Sequence, residues 1–84
     1  MADLHVVVRL FGPAREAAAT EAVELALPDG ATAADALAAL AEAHPTLAGL
    51  LPRSRVAVNL AYVDTTTRLA PGDEIAIVPP VGGG

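Results

Sequence analysis

The chain contains no cysteine, no tryptophan and no lysine, and only one Phe and one Tyr. Without cysteine there is no disulfide frame, no thiolate nucleophile and no Cys-based metal site, so any sulfur chemistry must pass through another group. Aromatic residues make up 2% of the sequence and the formal charge is −5. Nucleic acid is therefore excluded as a partner, because there are neither stacking platforms nor a cationic track to follow a phosphate backbone. The same negative balance argues against an anionic membrane surface and favours a protein partner with a basic face. The apolar run Val6-Val7-Val8 is too short for a membrane span or a signal-peptide core, so a cytoplasmic location without a membrane partner is the expectation.

What is present is aliphatic: hydrophobic residues make up 54% of the 84 residues, so the core must be built from Leu, Val, Ile and Ala. That length suits one domain. At about 0.05–0.15 kcal/mol per residue, its stability would be roughly 4–13 kcal/mol.

Leu4 to Phe11 is rich in β-branched residues and reads as a strand, with Val6, Val8 and Leu10 on one face. Gly12-Pro13 ends it, and Ala14 to Ala19 follow as a short helical turn behind a Pro suited to the first helical position. Glu21 to Leu27 alternates with Val23, Leu25 and Leu27 inward, which predicts a second strand paired with the first. Pro28-Asp29-Gly30 is a turn, and Thr32 with Asp35 three residues later resembles a capping box. A helix then carries an apolar stripe through Ala33, Ala36, Leu37, Leu40 and Ala41, with Asp35, Ala38 and Glu42 elsewhere on the cylinder, until Pro45 closes it. Leu47, Leu50 and Leu51 lie in a connector with room for one helical turn. Arg55 to Val63 alternates again through Val56, Val58 and Leu60, and Asn59 can bend this segment into two short strands. After the turn at Pro71-Gly72-Asp73, Ile75 to Val78 forms the last strand, which Pro79-Pro80 must end because neither has an N–H to donate. The predicted fold is α+β: one mixed sheet with one main helix on one face, a domain over residues 1–80 and a tail over 81–84.

That tail, Val81-Gly82-Gly83-Gly84, is the chemical feature. Glycine lacks the Cβ that would block a narrow channel and has the highest ordering entropy, so the expectation is a thin, flexible end on a base stiffened by the two prolines. Extended, four residues reach about 13–14 Å. A Gly-rich end by itself reads first as a frayed terminus. Its position directly after a strand and a double proline, in a strand–strand–helix–strand–strand order, resembles ubiquitin-like β-grasp domains.

Within that class, Pro79-Pro80-Val81-Gly82-Gly83-Gly84 resembles the Pro-Pro-Val-x-Gly-Gly ending of the molybdopterin synthase small subunits, the MoaD-like members of the MoaD/ThiS sulfur-carrier family. Leu10-Phe11-Gly12-Pro13-Ala14-Arg15-Glu16, Val58-Asn59 and Gly72-Asp73-Glu74-Ile75-Ala76 are similar to further landmarks of that family, so the resemblance spans nearly the whole chain. It implies a non-catalytic carrier subunit within a sulfurtransferase. An E1-like activating enzyme would adenylate the Gly84 carboxylate with ATP, a sulfur donor would convert it to a thiocarboxylate, and Gly83-Gly84 would deliver sulfur to a pyranopterin precursor in the large subunit of molybdopterin synthase, in a heterotetramer. No cofactor would be bound by this chain itself. The resemblance further implies partner contacts through Arg15, Tyr62 and Val78 beside the tail, and through Pro79, Pro80, Val81 and Gly82 along it.

The same ending serves carriers for thiamine thiazole or cysteine, and ubiquitin-like protein modifiers; a chain without lysine could be attached only singly, never to itself through lysine. A binding module with an inert tail is the third class. His5 and His44 are spaced as neither metal ligands nor a base and nucleophile. Asp73-Glu74 reads as a solvated pair after a turn or as an acidic rim, and the ten carboxylates show no general acid–base pair.

Overall fold

A computed structural model describes residues 3–78 of the 84. The predicted tail boundary, together with Pro79, Pro80, Val81, Gly82, Gly83 and Gly84, lies outside the described residues.

Strand β1 (Asp3–Leu10) shows strict alternation, with Leu4, Val6, Val8 and Leu10 buried and the residues between them turned to the other face. Helix α1 (Gly12–Ala18) starts on Pro13 in its first turn and stops where Ala19 enters the left-handed region at φ 59°. Strand β2 (Ala22–Pro28) pairs antiparallel with β1, as the alternation predicts, although α1 fills the connection.

Helix α2 (Ala33–Ala43) begins at the predicted capping box. The Thr32 backbone N–H donates to Asp35 Oδ2 at 2.8 Å, and the Asp35 N–H donates to Thr32 Oγ1 at 3.4 Å. The carbonyls of Thr67 and Thr65 accept from Ala33 and Ala34 at 2.9 Å each, so the first-turn donors of the helix are satisfied internally. Two 3₁₀ turns follow, Pro45–Leu47 and Leu51–Arg53, which bury Leu47 and Leu51.

Strands β3 (Arg55–Val58), β4 (Ala61–Tyr62) and β5 (Glu74–Val78) complete one sheet in the order β2-β1-β5-β3-β4. Only β1 and β5 run parallel; the other pairs are antiparallel. The inner face of this mixed sheet carries Leu4, Val6, Val8, Leu10, Ile75 and Ile77 against Ala33, Ala36 and Leu40 of α2, with Ala14 also in the core. Alanines on the helix let it lie close to the sheet, and no polar or charged residue is buried among those described.

Alternation places Leu60 on the inner face with Val56 and Val58, yet Leu60 is 94% exposed. Asn59 and Leu60 both have positive φ, 49° and 72°, and form the two-residue connection between Val58 and its partner Ala61. Positive φ at both loop residues is what a tight hairpin with right-handed strand twist requires, and it ends the alternation. Asn59 holds that turn: its N–H donates to the Glu74 carbonyl at 2.8 Å, its Nδ2 donates to Asp73 Oδ1 at 2.9 Å, and its Oδ1 accepts from the Glu74 N–H at 3.1 Å.

Candidate functional site

The described body contains no three His, Asp or Glu side chains arranged to hold a metal ion. None of its described helices is long and apolar enough to cross a membrane. Attention therefore falls on the sheet face opposite α2 and on the end from which β5 leads to Pro79.

Strand direction decides which residues gather there. Because β1 and β5 are parallel, both finish at the same end of the sheet; β3 is antiparallel to β5 and begins there. Val78 is paired with Arg55, and the next row across the open face reads Tyr62, Ala57, Ala76, Arg9. The Arg55 guanidinium carbon stands 4.2 Å from the centre of the Tyr62 ring, a cation–π contact that holds the ring against the sheet. Tyr62 nonetheless remains 57% exposed. Ala57 and Ala76 keep the ground between Tyr62 and Arg9 low, leaving a shallow apolar floor. Arg9 Nε donates to Glu74 Oε2 at 2.9 Å across neighbouring strands. Both side chains are nearly half exposed, so this pair contributes only about 0–1 kcal/mol and serves mainly to orient the two groups.

Of the site residues expected from the sequence, Tyr62 and Val78 are brought together by this register, with Arg55 between them. Arg15 is exposed on α1, its backbone N–H donating to the Phe11 carbonyl at 3.4 Å, so α1 carries it at the same end of the sheet. Asp73 and Glu74 are neither merely solvated nor a free rim. Asp73 accepts from Asn59 Nδ2 and, at 2.8 Å, from the Ala70 N–H, while Glu74 pairs with Arg9.

Phe11 is the residue that sequence reasoning missed. It follows Leu10, which is level with Ile77 on β5, and its extended backbone (φ −131°, ψ 155°) continues the strand one step to the level of Val78. Alternation sets it on the face of Val7 and Arg9, and it is 50% exposed. The available signal was the combination of a lone Phe at an odd strand position with Gly12-Pro13 directly behind it. A strand that stops there leaves the ring without a covering neighbour. Phe11 and Val78, with Tyr62 two strands further across the same face, thus make an apolar corner that carries Arg55 and Arg9, at the point where the chain runs on towards its C-terminal glycines.

The ThiS family matches residues 8–84. The molybdopterin synthase sulfur carrier subunit of Chlamydomonas reinhardtii is 36% identical over 83 residues, which cover 96% of this chain and all of that protein. The crystal structure of H. volcanii small archaeal modifier protein 1 superposes with a TM-score of 0.87 at 32% identity, covering 93% of this chain and 99% of that one. A chain of the Helicobacter pylori complex of subunits 1 and 2 of molybdopterin-converting factor superposes with a TM-score of 0.69 at 29% identity, over 96% of this chain and all of that one. The fold expected from the sequence, a ubiquitin-like β-grasp, is the fold these relatives share.

Proposed function

The chain belongs to the ThiS family, and from that premise we propose that it is the sulfur carrier subunit of a molybdopterin synthase, with the Gly84 carboxylate as its working group. The observation that carries the reading is the agreement of two features. The relatives that match nearly end to end bear that name, and β5 ends in the exposed apolar corner, one residue before Pro79. On this reading the chemistry belongs to the chain end and to the partners.

The cycle runs through the carboxylate. An adenylating enzyme joins it to the AMP portion of ATP with loss of pyrophosphate, a sulfur donor displaces AMP, and the resulting thiocarboxylate passes its sulfur to the pyranopterin precursor held by the large subunit, water attacking the acyl carbon to break the C–S bond and restore the carboxylate. The free carboxylate is a poor acyl electrophile; the acyl-adenylate supplies a good leaving group. This chain provides the transferred atom and its reach, while the partner provides the pocket. The large subunit is the partner because the H. pylori neighbour is a complex of subunits 1 and 2. The same reading places the cycle in the cytoplasm and leaves this chain without a bound cofactor.

Docking rests on the corner formed by Phe11, Tyr62 and Val78 with its arginines. Although the chain is acidic overall, this corner favours an apolar partner pocket rimmed by carboxylates. Tyr62→Ala and Phe11→Ala should each weaken binding to the large subunit by roughly 5–30-fold, corresponding to ~1–2 kcal/mol, as read by titration calorimetry. Both side chains are at least half exposed, so thermal stability should change little. Unchanged affinity in both variants would remove the corner from the interface.

The reading itself is tested by the intact mass of the chain after incubation with ATP, an activating enzyme and a sulfur donor. The expected change is replacement of one oxygen by sulfur at Gly84, reversed on adding the large subunit and pyranopterin precursor. Persistence of the unmodified mass with an activating enzyme that loads a known carrier would sink it. A second reading, a protein modifier, is favoured by the likeness to small archaeal modifier protein 1; its signature would be an adduct on lysines of other proteins, one copy per lysine, because this chain has none of its own.

A further inference from the structure

The opposite margin of the sheet from Tyr62 is strand β2, which has β1 on one side and no strand on the other among the described residues. The Leu10 N–H donates to the Glu21 carbonyl at 2.9 Å, which marks Leu10 and Glu21 as a mutually bonded pair. Bonded pairs alternate along an antiparallel ladder, so Val23, Leu25 and Leu27 turn their backbone groups to β1, whereas Glu24 and Ala26 turn theirs outward. This open stretch is bounded. The hydroxyl of Thr20 donates to the Ala22 carbonyl at 3.1 Å and accepts from the Ala22 N–H at 3.5 Å, and Pro28 has no N–H while its carbonyl accepts from Ala31 at 3.1 Å. Two N–H and two C=O groups remain, the set that a single extended segment pairs with.

Beside this edge runs a groove of about 420 Å³ between β2 and α2. Its helix wall is the stripe Asp35, Ala38, Ala39 and Glu42, spaced i, i+3, i+4 and i+7, so one side of α2 faces the strand edge. Ala38 and Ala39 leave room where larger residues would close the gap. Asp29, Asp35 and Glu42 line the groove with no basic residue among its walls, and exposed Glu24 stands on β2 itself. Tyr62 is on β4 at the far edge of the sheet, so the groove remains accessible when the tail corner is engaged.

We propose that the β2 edge and this groove form a second docking surface, which takes an extended, cationic segment of another protein as an added strand. Residues of that segment opposite Leu25 and Leu27 would point to the helix side and set medium-sized apolar side chains over Ala38 and Ala39. Those between them would place Arg or Lys on the opposite face near Glu24, while a cationic residue on the helix side at either end of the segment would meet Asp35 or Glu42 of the groove wall. A second copy of this chain is disfavoured as occupant, because pairing β2 with its own copy would bring two carboxylate-lined grooves together. The inference is independent of the sulfur-carrier reading, since it uses neither the tail nor the apolar corner.

The test is a titration of the full ¹⁵N-labelled chain with a synthetic peptide of alternating valine and arginine, followed by amide chemical shifts. Saturable changes are expected at Glu24, Ala26 and residues 35–42, and affinity should fall as salt rises. Ala26→Pro removes an outward N–H without touching the β1 ladder, and should weaken binding about tenfold. Glu42→Arg, an exposed change that leaves the strand intact, should weaken it by a similar factor of about ten. Sulfur loading of Gly84 should be unchanged in both variants. Shifts spread over the whole acidic surface without saturation, or at the Tyr62 corner, or affinity unchanged from the parent chain in both variants, would overturn the proposal.

Discussion

Removing Gly83 and Gly84 is expected to reduce sulfur delivery to background while leaving the melting temperature within a few degrees of the full-length chain. The truncated protein still ends in a carboxylate, on Gly82, but that group is withdrawn by about 7 Å, two residues at 3.3–3.6 Å each. A reaction that depends on a reacting atom placed within about 3–3.5 Å of its partner does not survive such a retreat. Stability should be nearly untouched, because glycine has no side chain to bury. Changes away from buried features fall within about ±0.5 kcal/mol, and at ~4–8 °C per kcal/mol for a domain of this size that is a shift of at most about 4 °C. Thermal melts and a precursor-conversion assay on the same sample separate the two quantities. A truncated protein that still supports conversion would end the carrier reading and favour a binding module.

Leu40→Ala is expected to do the reverse. Leu40 has no exposed surface and stands where α2 meets the sheet, so the substitution loses transfer free energy and leaves a cavity, together about 2–5 kcal/mol. With a total stability of roughly 4–13 kcal/mol, that is a large share, and the melting temperature should fall by roughly 8–40 °C. Urea unfolding should show a lower midpoint with an unchanged slope, because the surface exposed on unfolding is nearly the same. The tail and the corner of Phe11, Tyr62 and Val78 are untouched, so sulfur loading at low temperature should persist. A loss below about 1 kcal/mol would mean that α2 is not seated on the sheet through Leu40.

How far the sequence could be read depended on the range of the interactions involved. Thr32 and Asp35 satisfy each other within one helical turn, so the start of α2 is visible in four residues. The alternation of β1 and β2 is equally local, and both strands lie as expected. At Leu60 the same rule fails because residue type gives no warning of the second positive φ in the turn; a leucine there reads as core until the hairpin is seen. Asn59 was legible as a bend. Its three hydrogen bonds to Asp73 and Glu74 were not, since those partners lie 14 and 15 residues away.

Local periodicity and capping determined the α+β class and the places of β1, β2 and α2, because each rests on residues a few positions apart; composition and the glycine ending set the expectations about partners and chemistry, which need no geometry at all. Tertiary structure alone decided that β5 inserts between β1 and β3, that Arg55 from β3 stacks on Tyr62 beside Val78, that Phe11 joins them in the open, and that β2 keeps an unpaired edge beside α2. The physical reason is that strand order is chosen by burying one apolar face of the whole sheet at once against α2. Which side chains then meet on the opposite face follows from pairings across as many as 67 residues, as between Val7 and Glu74, and no short stretch of the chain carries that information.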